Sequence, residues 1–113
     1  MEKFTLFFRG SDVYQPDQSP EALQALKVKM MDWLTDLTVS GLHDSSVPLQ
    51  PIGKQVNGIS QTIIEQPYGI GRDILGGCTI VLAKSFDEAV EIAKACPILE
   101  THAIIEVRPL QII

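Results

Sequence analysis

Disulfide and metal chemistry have little to work with in this chain. Its 113 residues include two cysteines, Cys78 and Cys96, and two histidines, His43 and His102, with no CxxC pair. A disulfide framework in so short a chain would want more cysteines, and a structural zinc site would want ligands at regular spacing. Positive charge is scarce too. Nine Lys and Arg stand against fourteen Asp and Glu, for a net charge of −5. The cations are scattered and form no basic stripe, so the balance repels phosphate backbones and argues against a nucleic-acid partner. No apolar run approaches the roughly 20 residues that span a bilayer, which argues against a membrane partner. Met1-Glu2-Lys3-Phe4 has neither the basic region nor the long apolar stretch of a signal peptide, so cytoplasmic residence is the default expectation. Gly69-Ile70-Gly71 is not a full GxGxxG, and a strand rather than a helix is expected after it.

What remains is ordinary globular composition, 45% hydrophobic and 20% charged, at a length that suits one domain spanning 1–113. Lys3 to Arg9 reads as a strand with Phe4, Leu6 and Phe8 on one face and Lys3, Thr5, Phe7 and Arg9 on the other. Residues 11–18 read as a polar loop. Ser19-Pro20 opens a helix, because Ser19 can cap it and Pro20 suits a first turn that needs no N–H. Leu23, Leu26, Met30, Trp33 or Leu34, and Leu37 then recur at steps of three and four as one apolar stripe, and Gly41 stops it. On this pattern Trp33 and the methionines are core residues.

Val47 to Ile52, broken by Pro48 and Pro51, suits a sheet edge. Asn57-Gly58 signals a turn, with a strand expected from Ile59 to Glu65. Cys78 to Ala83 is apolar almost throughout and reads as a central strand, with Gly76-Gly77 before it permitting a bulge or a close backbone approach. Ser85-Phe86-Asp87-Glu88 is a capping box for a second helix packed through Ala89, Ile92, Ala93 and Cys96 and ended by Pro97. A last strand is expected from Ala103 to Arg108. The order β-α-β(β)-β-α-β predicts two split βαβ units, an α+β domain with one antiparallel sheet and two helices on one face.

That arrangement leaves the second sheet face to be covered. The central strand is apolar on both sides, with Cys78, Ile80 and Leu82 one way and Thr79, Val81 and Ala83 the other. Monomers rarely expose such a patch, so a homodimer packed face to face is expected, enclosing a cavity between two sheets. Ile104, Glu106 and Arg108 would point into it, joined by Thr5, Phe7 and Arg9, and charges converging on apolar walls suit a small-molecule ligand.

Thr62 to Tyr68, Ile74 to Cys78, Ser85 to Ala89, Cys96-Pro97 and Ile105 to Leu110 carry a resemblance that covers nearly the whole chain. In these segments it resembles the YCII-related proteins, in particular their DGPF branch, with Gly76-Gly77 and Glu106-Val107-Arg108-Pro109 the most specific parts. The resemblance implies a ferredoxin-like antiparallel sheet with two helices on one face and a dimeric α+β barrel. It implies little about activity. The branch's Asp-Gly-Pro-Phe stands here as Glu65-Gln66-Pro67-Tyr68. Residues 19–41 hold no histidine, and Cys96-Pro97 replaces the Asp-Pro of YCII proteins proper, so a His–Asp acid/base pair is not carried over.

The candidate ligand-binding residues are Arg9, His43, Tyr68, Arg72, Glu106 and Arg108. Arg108 could fork a carboxylate with Glu106 as a base, or the two could be structural ion-pair partners, with Arg9 among the possibilities. His43 follows the first helix as a general base at the cavity mouth or as a solvated loop residue. Tyr68, Arg72 and Asp73 share a Gly-flanked loop that suits binding or a dimer contact. Cys96 and His102 read first as a helix-end apolar residue and a turn histidine, and only second as a nucleophile and base. Three functions compete: a small-ligand-binding or enzymatic homodimer, a noncatalytic regulatory or protein-interaction module, and metal-assisted chemistry at His43 and His102. The last matches no ligand spacing, and the sequence names no cofactor.

Overall fold

A computed structural model describes residues 1–10 and 19–111, so the stretch read as a polar loop, 11–18, lies outside the described residues. Six strands and two helices follow in the order β1 (Glu2–Arg9), α1 (Pro20–Val39), β2 (His43–Pro48), β3 (Gln55–Asn57), β4 (Thr62–Ile64), β5 (Leu75–Ala83), α2 (Phe86–Lys94) and β6 (Ile104–Pro109). The main sheet has the order β2-β5-β1-β6 with every pair antiparallel. With α1 and α2 as the two crossovers, this is the ferredoxin-like α+β arrangement expected from the element order.

Local sequence accounts for the helix ends. Ser19 Oγ accepts from the Ala22 N–H at 3.1 Å with Pro20 in the first turn, and Ser85 Oγ accepts from the Glu88 N–H at 3.1 Å. Gly41, at φ +74°, closes α1 by donating to Thr38 O, while Leu42 N donates to Leu37 O at 2.8 Å. These paired bonds satisfy carbonyls that a helix end leaves orphaned, and only glycine takes the left-handed turn at low cost. α2 ends at Lys94, and Pro97 opens a short 3-10 turn over Pro97–Glu100.

The alternation read in β1 and β5 is the alternation of the sheet. Phe4, Leu6 and Phe8 and Val81 and Ala83 are buried under the helices, whereas Thr5, Phe7, Arg9, Cys78, Ile80 and Leu82 are half-buried on the opposite side. Trp33 and Leu37 of α1, Ala89, Ala93 and Cys96 at α2, and Ile98 and Ala103 before β6 join the core, with Ile105 and Val107 packed against it. Trp33 meets Phe8 edge-on at 6.4 Å between ring centroids and donates its indole N–H to Ile92 O at 3.3 Å. That bond satisfies the polar end of an otherwise apolar payload.

Three expectations need correction. The α1 stripe is fully buried only at Trp33 and Leu37: Leu26, Met30 and Leu34 are half-buried and Met31 is 61% exposed. The edge strand is His43–Pro48, starting earlier than Val47 and ending before Pro51, whose ring supplies no ladder donor. The strand after Asn57-Gly58 shrinks to Thr62–Ile64, because a turn takes up residues 58–61. Among the described residues β3 and β4 pair only with each other, as a two-stranded arm separate from the main sheet.

The glycine pair before the central strand is used as expected. The β1–β5 register slips between Phe8 and Arg9, which face Gly77 and Leu75, so Gly76 is the extra residue of a bulge. A Cβ on Gly77 would meet Val47 O at 2.8 Å, closer than real side chains approach.

Candidate functional site

Sheet register sets the positions of the candidate residues. Glu106 pairs with Phe7, and Arg108 with Thr5, so both stand on the face away from the helices. Arg9 ends β1 on that face. Its Nη2 lies 3.5 Å from Glu106 Oε1, and its Nη1 donates to Asp73 O at 3.1 Å. The two charged side chains remain 34% and 44% exposed, so solvent screens a long and weak ion pair. Arg108 is exposed two residues further along β6 and makes no ion pair among the described residues. The structure thus brings Arg9 and Glu106 together, with Arg108 on the same open face.

Arg72 lies in the turn Gly71–Asp73, whose backbone is stitched to the end of β1 by Gly10 N donating to Ile74 O at 2.9 Å. Gly10, at φ +77°, allows this approach: a Cβ there would stand 2.7 Å from Arg72 Cβ. Tyr68 is 82% exposed on the loop that follows β4.

His43 stands elsewhere. It opens β2 opposite Val81, a residue of the helix-covered face. His43 Nε2 is 2.9 Å from Ser46 Oγ, which is 3.0 Å from the hydroxyl of Thr79, a residue only 3% exposed. Histidine and two hydroxyls form one chain on the opposite side of the sheet from Arg9, Glu106 and Arg108. His43 is therefore not at the mouth of a cavity on the open face.

The thiol of Cys96 is 2% exposed, lies 3.6 Å from Met30 Sδ, and is pushed up to about 11 by burial. At neutral pH such a thiol stays protonated, which leaves it a packing residue and not a nucleophile. Among the described residues no three His, Cys, Asp or Glu side chains gather as they would around a metal ion. No described helix is long and apolar enough to cross a membrane.

One cavity was not anticipated from the sequence. A groove of about 780 Å³ runs beneath α1, between Leu23, Leu26, Met30 and Leu34 above and Val47 and Gly77 below. None of the six candidate residues lines it. Its signal was present in the sequence, since long apolar side chains on α1 face small residues at Ser46, Gly76 and Gly77, and small residues leave volume unfilled.

None of the curated proteins matches this chain. The model of the YCII-related domain matches residues 11–111, which takes in α1, the arm, the bulged central strand and β6. On that match, spanning almost all of its length, the chain belongs to the YCII-related domain family.

Proposed function

We propose that this protein is a homodimer that binds, or acts on, a small anionic molecule held between two facing sheets, and that it belongs to the DGPF branch of its family. The observation that carries the reading is the open face of the sheet. Phe7, Cys78, Ile80 and Leu82, on the two central strands, are covered by neither helix, and Ile104 beside them is 37% exposed. A second copy related by a two-fold axis removes this apolar surface from water. Arg108, which has no ion-pair partner among the described residues, would then face the enclosed space as a fork for a carboxylate or phosphate, and Glu106 and Arg9 would line the same wall. Cytoplasmic residence belongs to the same proposal.

Calorimetric titration with malonate and succinate, with subunit count measured alongside, tests it. Losing a charge-assisted hydrogen bond costs on the order of 1.5 kcal/mol or more, so Arg108→Ala should weaken binding at least about tenfold while the dimer persists. If Arg108→Ala and Glu106→Gln each dissociate or unfold the dimer, these charges are interface supports and the ligand reading fails.

The arm favours a second reading, a noncatalytic interaction module. Val56, Ile59 and Ile63 are 68%, 105% and 60% exposed there, and Ile70 beyond it is 86% exposed. If Ile59→Ser with Ile63→Ser abolishes association with a partner protein and leaves carboxylate binding untouched, the arm carries the function.

A further inference from the structure

We propose that the groove beneath α1 is a second ligand site, distinct from the open face, and that it takes an apolar small molecule ending in one carboxylate. Size comes first: about 780 Å³ lies within the range of small-molecule pockets, roughly 300–1,000 Å³. The walls come next. Leu23, Leu26, Met30 and Leu34 hang over the groove without closing it, because the sheet beneath them offers Ser46 and two glycines.

The polar groups of the groove decide the chemistry of the occupant. Thr79 and Ser46 line it, but their hydroxyls bond each other at 3.0 Å, and Ser46 also meets His43 at 2.9 Å. Hydroxyls already paired with each other, one of them on the buried Thr79, leave little demand for a ligand's polar groups. Among the described residues Lys27 is the one charged side chain in the lining, and it makes no ion pair with any of them. Its neighbour on the helix, Lys29, is engaged with Glu100 at 2.9 Å. Among the described residues the groove therefore presents an apolar trough with one cation that has no ion-pair partner, complementary to an apolar tail with an anionic head.

The methionines supply a local readout. Of the three in the chain, Met30 and Met31 line the groove, and Met1 lies outside it, at the start of β1 and 70% exposed. The experiment is NMR of the full-length protein labelled at the methionine methyl carbons, titrated with octanoate and, separately, with 1-octanol. Octanoate should shift Met30 and Met31 saturably and leave Met1 in place. Octanol should bind more weakly. Lys27→Glu, a change at an exposed helix position, should weaken octanoate at least about fivefold, since exposed charge pairs are worth up to about 1 kcal/mol and the substitution adds repulsion. The same variant should leave octanol within about twofold, and Arg108→Ala should change neither titration. Equal binding of octanoate to wild type and Lys27→Glu would overturn the anionic head. Shifts of all three methionines together, or no saturable shift, would overturn the site.

Discussion

α2 presses Ala89 and Ala93 into the sheet until they are 0% and 5% exposed, whereas α1, over the same face, leaves Leu23 and Met31 37% and 61% exposed. The helix with small residues on its packing face lies flush. The helix with large ones, set above a floor of small ones, stands off and leaves a groove. Matching apolar stripes thus lead to different outcomes, because contact depends on the volumes of both partners. The strongest core contacts of α1 among the described residues lie toward its C-terminal end, where Trp33 reaches Phe8 and Ile92 O and where Gly41 closes the helix.

The largest expected effect tests those contacts. Trp33→Ala should cost about 3–5 kcal/mol in urea unfolding, as truncated core aromatics do. A loss under about 1 kcal/mol would mean that the whole of α1, and not just the part over the groove, is loosely held. Next comes the flush contact. Ala89→Leu should destabilise by about 1–3 kcal/mol through overpacking, while Leu23→Ala at the groove rim should stay within about 0.5 kcal/mol. Similar costs for the two substitutions would erase the distinction between the helices.

The smallest effect belongs to the other face of the sheet. Asp44 is bridged by Lys3 at 3.3 Å, and hydrogen bonds from Lys3 first and Ser45 second hold its carboxyl below the ordinary value of 3.8. A depressed folded-state value means that any stability from this pair is present above the unfolded carboxylate's pKa and is lost as pH falls through the lower folded one. NMR titration of Lys3→Ala should move the Asp44 midpoint up toward the ordinary value. An unmoved midpoint would show that Lys3 does not engage it.

Most of the fold was legible because its signals are local. Ser19-Pro20, Gly41, Ser85 and Gly76-Gly77 each do in the structure what their chemistry favours, and the two-residue alternation of β1 and β5 set which face is core. The depth of α1 was not legible, because a periodic stripe reports direction but not the size of what lies opposite. The same holds for the site. The alternation of β6 placed Glu106 and Arg108 on one face with Arg9, and that face is where they stand. His43 went astray because a bulge near the start of β2 sets its side: His43 pairs with Val81 and Ser45 with Ile80. The groove needs α1, β2 and β5 together, which no single segment encodes.

The central claim is that a second copy covers the open face carrying Phe7, Ile80 and Leu82. Native mass spectrometry of gently purified, untagged protein, run beside Ile80→Asp, tests it most directly. The account predicts a wild-type dimer, with any retained ligand as an added discrete mass, and a folded monomer for Ile80→Asp, since a buried unpaired charge at the centre of an interface is costly. A monomeric wild type, or an Ile80→Asp dimer as stable as wild type, would contradict it.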